Sequence, residues 1–292
     1  METHERGIWA LKISIAGLGA TALLQVVIVA LSGSVALLAD TLHNFADAGT
    51  ALPLWLAFAM ARRPANRRFT YGYGRAEDLA GLVIVMVIFA TACIAGYESI
   101  QRLLDPEPMT HIWWVAAAAI IGFLGNEAVA VLRIRVGREI GSAALVADGQ
   151  HSRVDGFTSL AVLGGAAGTW LGYPVLDPLI GLGITVAILF IVWEAGRSVL
   201  LRVLDGIEPA VLADIEAAAL VAAPEVESVG RVRARYVGHK IWAEVNVAVR
   251  PGLSVEAAHE IAHRVEAGLR ERVPGLSEAQ VHVSPGMELP RV

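Results

Sequence analysis

Leu145-Val146-Ala147-Asp148-Gly149-Gln150-His151-Ser152-Arg153-Val154-Asp155 places charged and polar side chains inside an apolar run. A second stretch, Leu37-Leu38-Ala39-Asp40-Thr41-Leu42-His43-Asn44-Phe45-Ala46-Asp47, does the same. Both fit L-[LV]-A-D-x-x-H-x-x-x-D at a constant offset of 108 residues, and Thr50 and Thr158 extend the match. The copies lie in the second and fifth of six membrane-length runs, three spans apart in order, so they cross a bilayer in opposite directions. That arrangement is a three-plus-three inverted repeat, which in secondary transporters puts the binding site near the midplane between the repeats.

The composition around these strings agrees. The chain has 292 residues, 55% hydrophobic and 17% charged, with mean hydropathy +0.58. Soluble domains carry about 25% charged residues, so this chain has too little charge to coat a globule in water. Six stretches can span a hydrocarbon core, which takes about 20 helical residues. They are Trp9–Leu31, Val35–Ala61, Asp78–Leu103, Ile112–Val131, Ser142–Leu171 and Pro178–Leu201. The first is longer than the apolar core of a cleaved leader and has similar followers, so it is expected to be a span. Residues 206–292 hold 9 Lys/Arg and 12 Asp/Glu, a soluble density, whereas residues 1–205 hold 14 and 16 in over twice the length. The expected division is a membrane domain over 1–205 and a soluble domain over 206–292. A net charge of -5 argues against nucleic-acid partners. Cys93 is the single cysteine, so neither an intramolecular disulfide nor a thiolate cluster can form.

Loop charge predicts the orientation. Arg62, Arg63, Arg67, Arg68 and Arg75 follow the second span, and Arg133, Arg135 and Arg138 follow the fourth. Ser32-Gly33-Ser34, Asp105–His111 and Gly172–Asp177 contain no Lys or Arg. The positive-inside rule then places both termini and the soluble domain in the cytoplasm.

In a helix His43 and Asp47 share a face at i and i+4, as do His151 and Asp155. Asp40 and Asp148 lie three residues before each histidine on the same faces. A carboxylate in hydrocarbon costs at least about 2.5 kcal/mol, which a bound cation can offset. One imidazole and one carboxylate from each helix make an N2O2 set with net charge -2. That suits a tetrahedral divalent ion, Zn2+ first, then Co2+, Cd2+, Fe2+ or Mn2+. Ca2+ and Mg2+ prefer all-oxygen shells of higher coordination. Asp40 and Asp148 are candidates for shaping the cavity, relaying protons or ligating. Glu127, deep in the fourth span, is a candidate for lining a cytoplasmic vestibule or pairing with an arginine. Glu77, Asp78, Glu98, Asp105 and Glu194 are expected at the membrane interface, and Trp113-Trp114 in its aromatic belt.

Together with the basic loop running into Tyr71-Gly72-Tyr73-Gly74-Arg75-Ala76-Glu77, these motifs make the chain resemble the cation diffusion facilitator family. The resemblance covers essentially the whole chain. It implies a homodimer in a cell (inner) membrane that exports Zn2+ or a similar ion in exchange for protons. The ion is then the transported substrate, and no cofactor is implied. Carried over residue by residue, the transport site is His43, Asp47, His151 and Asp155, and His at position 43 favours zinc. Asn66, Phe69 and Tyr73 stand where some relatives hold a second metal, so none is expected there. Arg75 and Asp205 match the partners of a charge interlock at the membrane–cytoplasm boundary.

The soluble part reads as helix, strand, strand, helix and strand. The stretches are Val211–Ala222, Val226–Tyr236, Ile241–Val249, a helix capped by Ser254 running through Glu271, and a short strand Gln280–Val283. This αββαβ order resembles the family's ferredoxin-like, metallochaperone-type domain. His259 and His282 match positions near which relatives bind regulatory metal, with Glu244 and His263 as further candidate ligands. Ser284, Asn246 and Gly230 replace stronger ligands found in some relatives.

Two other classes are weaker. An intramembrane metalloenzyme needs an open coordination position and a base, yet H-E-x-x-H is absent and a 2+2 set fills a tetrahedron. A non-transporting sensor or dimerisation partner is the alternative, marked by lost ligands, and here all four are present.

Overall fold

The computed structural model describes residues 3–32, 51–105, 112–173 and 175–286. The chain divides into two compact units, residues 1–199 and 200–292.

The first unit is helical. Its described helices are α1 (Thr3–Ser32), α2 (Ala51–Ala61), α3 (Arg75–Leu104), α4 (Ile112–Ile140), α5 (Ala143–Trp170) and α6 (Leu176–Val203), the last continuing into the second unit. Among the described residues α1, α3, α4 and α6 are long and apolar enough to cross a membrane. At 28 residues α5 matches their length, but its first half carries Asp148, Gln150, His151, Arg153 and Asp155, which lower its hydropathy. Large apolar side chains such as Leu23, Phe89, Phe190 and Trp193 point outward, as a lipid environment requires. Trp113 and Trp170, from the start of α4 and the end of α5, meet with ring centroids 6.1 Å apart.

Packing runs α1 on α4, α4 on α5 and α3 on α5. The α4–α5 crossing is the tightest, and glycine makes it so. A Cβ on Gly149 would stand 2.9 Å from the Ile134 backbone nitrogen, and one on Gly137 2.9 Å from that of Val146. At both places the helix backbones touch, and nothing larger than glycine fits.

The end of the fourth span differs most from the sequence expectation. The fourth span, expected to end at Val131, continues as α4 to Ile140, so Arg133, Arg135 and Arg138 are helical and not in a loop. The actual connection is Gly141-Ser142. Gly141 takes φ +73°, the Ser142 N–H donates to the Gly137 carbonyl at 2.8 Å, and the Ser142 hydroxyl caps α5 by accepting from the Leu145 N–H at 3.1 Å. Glu77 and Asp78 are buried in the first turn of α3, where the helix dipole favours carboxylates.

The second unit has α7 (Pro209–Ala222), β1 (Val226–Val237), β2 (Lys240–Val249), α8 (Val255–Arg272) and β3 (Leu276–Pro285). This is the expected αββαβ order. The sheet runs β1-β2-β3, with β1/β2 antiparallel and β2/β3 parallel. Ile241, Ala243, Val245 and Val247 of β2 turn one face toward Ile215 and Ala219 of α7 and Ile261, Val265 and Leu269 of α8. Ser254 caps α8 as expected, accepting from the Ala257 N–H at 3.2 Å. The last strand is longer than Gln280–Val283, because parallel pairing with β2 runs from Ile241↔Leu276 to Val249↔Pro285. That long-range pairing leaves no local signature in the sequence.

Candidate metal transport site

The candidate site residues that the structure describes lie on α5. Helical spacing turns Asp148, His151, Ser152 and Asp155 inward, and all four are buried among α5's small residues. His151 is 1% exposed and Asp155 7%, with Nε2 and Oδ2 3.9 Å apart. Two donors at zinc-ligand distances on a tetrahedral ion stand about 3.4 Å apart. The observed separation is close to that, so a small side-chain rotation brings both atoms onto one cation. The residues present therefore fit half of the expected N2O2 set. His43, Asp47 and Asp40 lie outside the described residues. Among the described residues no cluster of three or more His, Cys, Asp and Glu side chains forms.

Asp148 faces a partner that the sequence reading did not assign to it. Arg133 Nη1 lies 3.0 Å from Asp148 Oδ2, and both side chains are 0% exposed. The same Nη1 donates to Ser152 Oγ at 3.1 Å, and that hydroxyl lies 3.4 Å from the Asp148 carbonyl. Neither Asp148 carboxylate oxygen receives a well-aligned hydrogen bond among the described residues, so the contact is chiefly Coulombic. Loop charge alone puts Arg133 in a connection between spans, whereas it is a buried residue of α4. One signal was available: Asn126, Ala130, Arg133 and Gly137 fall at i, i+4, i+7 and i+11, a single helical face, and all are buried.

Glu127 takes the arginine-pairing role. Its carboxylate accepts from Arg153 Nη2 at 2.7 Å and from Nε at 3.1 Å, a bidentate geometry. Asn126, beside it on α4, is buried near Gly156, the residue after Asp155.

In the loop between α2 and α3, Asn66, Phe69 and Tyr73 come together. The Asn66 side-chain oxygen accepts from the Arg68 and Phe69 N–H groups at 2.9 Å each, and its amide donates to the Tyr73 hydroxyl at 2.8 Å. The Phe69 and Tyr73 rings stand 4.6 Å apart. The loop is thus closed by neutral contacts.

In the second unit the four candidate regulatory residues fall into two groups. His259 and His263 share the exposed face of α8 with their Nε2 atoms 3.0 Å apart, and His263 Nδ1 lies 3.4 Å from Glu266. Glu244 and His282 are exposed on the opposite face of the sheet, where Glu244 pairs in register with Gln280 and Asn246 with His282. Within a single chain these four residues do not come together.

Near the end of α6, the Tyr236 hydroxyl donates to Glu208 at 2.7 Å, and Arg202 lies 4.0 Å above its ring while donating to the Gly238 carbonyl at 3.2 Å. Burial, reinforced by the hydrogen bond to Glu208, pushes the Tyr236 hydroxyl up to about 12. At the surface, its hydrogen bond to Arg264 holds the Glu225 carboxyl below its ordinary range.

Comparison with known proteins adds independent findings. Residues 11–204 match the family described as cation efflux transmembrane domain, and residues 207–286 match the cation efflux protein cytoplasmic domain. A probable cation efflux system protein of Mycobacterium tuberculosis is 54% identical over 98% of this chain and 86% of its own length. The cation-efflux pump FieF of Cronobacter sakazakii is 31% identical over 89% of this chain and 86% of its own. Among solved structures, a nickel form of the MamM C-terminal domain is 35% identical, covering 27% of this chain and 100% of its own, with TM-score 0.26.

Proposed function

This chain belongs to the cation efflux family, known also as the cation diffusion facilitators, and from that premise we propose that it exports Zn2+ from the cytoplasm in exchange for protons. The observation that carries the reading is the buried pair of His151 and Asp155 on one face of α5, spaced to share one cation. His43 and Asp47, their copies at the offset of 108 residues, complete the tetrahedral set. Co2+, Cd2+, Fe2+ and Mn2+ are weaker candidates.

Cytoplasmic metal displaces protons from the ligands in the inward-facing state. Rocking of the repeats then opens the site outward. There an acidic exterior protonates the imidazoles, whose ordinary pKa lies closest to neutrality, and the metal leaves. The protein works as a homodimer in a cell (inner) membrane with both termini cytoplasmic. Exposed Arg135 and Arg138 at the end of α4 support that orientation even with Arg133 buried. At the boundary, Arg75 and Asp205 are proposed as interlock partners on family resemblance. Within their own units they approach Asp78 at 3.6 Å and Arg235 at 3.7 Å. In the cytoplasmic domain His259 and His263 are proposed to take a regulatory ion, a reading supported by their Nε2 atoms lying 3.0 Å apart.

The test is metal uptake into proteoliposomes under an imposed pH gradient, comparing these ions in wild type and Asp155→Ala. Gradient-dependent Zn2+ flux that the substitution abolishes is the expected result. Flux indifferent to Asp155→Ala moves the path elsewhere. Folded, metal-binding protein with no flux of any ion supports the sensor or dimerisation-partner alternative instead.

A further inference from the structure

We propose that Arg133 and Glu127 of α4 form a charge-coded clamp that sets the rotation and register of α5, making Arg133 a positioning residue for His151 and Asp155. The inference rests on the transport-site reading above and concerns what holds that site in place.

The two helices run antiparallel across the Gly141-Ser142 turn, and two ion pairs join them. Arg133 meets Asp148 at 3.0 Å, and Glu127 meets Arg153 at 2.7 Å. The polarity alternates, with a positive and a negative group on α4 facing a negative and a positive group on α5. Slipping α5 along α4 removes both pairings at once and tends to bring like charges together, so only one register satisfies both. On α5 the clamped residues, Asp148 and Arg153, flank His151, and Asp155 follows two positions later. A rotation of α5 that swings His151 away from the site therefore has to break a contact on either side of it.

The inner pair is the stronger constraint. Arg133 and Asp148 are fully buried, while the outer pair is about two-thirds buried. Arg133 also reaches Ser152, the neighbour of His151. The contact makes Asp148 a counter-charge for Arg133, which separates its role from that of Asp155 despite the shared helix face. Glycines at 137 and 149 let the backbones close on both sides of the pair. With the same offset of 108, the position matching Arg133 in the first repeat is Gln25, also buried but uncharged.

The experiment uses the full chain in detergent and in proteoliposomes, with Zn2+ as probe. Calorimetric Zn2+ affinity and the KM and maximal rate of flux are measured for wild type, Asp155→Ala, Arg133→Lys, Asp148→Asn and the double variant Arg133→Met with Asp148→Leu. The double variant removes both charges together, so it tests positioning without stranding a buried ion. Expected are a monodisperse double variant with near-normal helix content, a Zn2+ KM and Kd raised about tenfold, and a maximal rate reduced much less. Arg133→Lys, which keeps the charge, recovers most of that affinity.

A folded double variant with unchanged Kd and KM overturns the clamp and leaves Arg133 merely structural. An Asp148→Asn protein that loses bound Zn2+ as completely as Asp155→Ala makes Asp148 a ligand and overturns it as well. If Asp155→Ala itself transports normally, the transport-site reading fails and the clamp falls with it. The Asp155 control thus distinguishes the two failures.

Discussion

Adding one methyl group at Gly149 tests the α4–α5 crossing directly. In Gly149→Ala the new Cβ would sit 2.7 Å from Ile134 Cγ1, 2.9 Å from the Ile134 backbone nitrogen and 3.0 Å from Arg133 Cβ. The side-chain contact can be relieved by a rotamer change, but the backbone nitrogen cannot move without α4. Restoring ordinary contact displaces α5 by roughly 0.5–1 Å, at an overpacking cost of about 1–3 kcal/mol. Alanine recovers up to about 1 kcal/mol of helix propensity, so the net effect is destabilisation by roughly 0–3 kcal/mol. The functional effect is larger than this suggests, because the displaced residues include Arg133, whose 3.0 Å contact to Asp148 is lengthened. Gly183→Ala on α6 is the matched control, since its Cβ meets nothing within 4 Å. The assay pairs the apparent melting midpoint in detergent with Zn2+ flux in proteoliposomes. Expected are a lower midpoint and weakened Zn2+ affinity for Gly149→Ala, and neither for Gly183→Ala. If both variants melt and transport like wild type, the close approach of the helices is wrong and so is the reasoning built on it.

Tyr236 should keep its proton well above the ordinary tyrosine range, ionising near 12. Because its folded pKa is raised, the associated stability is complete below the unfolded value near 10 and is lost as pH rises through about 12. Near-ultraviolet tyrosinate titration of the full protein, with Tyr236→Phe as reference, reads this: the late-titrating tyrosine should disappear in the variant. Ser142→Ala removes the hydroxyl that caps α5 and should cost about 1 kcal/mol. Its checkable sign is faster amide exchange over the first turn of α5, at Leu145 above all, and unchanged exchange there refutes the cap's contribution.

Much of the architecture was legible in the chain. Among the described residues, apolar run length predicted α1, α3, α4 and α6, because the hydrocarbon core imposes a minimum length. Two-residue alternation with a capping serine gave the αββαβ order of the C-terminal part. The repeated D-x-x-H-x-x-x-D string singled out His151 and Asp155, since helical periodicity alone puts i and i+4 on one face. Ending the fourth span at Val131 failed for a physical reason. Loss of hydropathy ends an apolar run but does not end a helix, and α4 stops only where Gly141 can adopt positive φ.

What the sequence by itself determined were properties carried by neighbours along the chain: helix length, face, cap and turn. Only the tertiary structure decided which charges neutralise which. Arg133 and Asp148 are fifteen positions apart on different helices, and Arg133 reads as a loop cation until glycine-mediated packing brings it against α5. The separation of His259 and His263 from Glu244 and His282 likewise depends on which sheet face α8 covers. Strand order set the full length of β3 in the same way. Each depends on contacts between segments distant in sequence, and a pairwise Coulombic or hydrogen-bonding preference has no partner until the fold supplies one.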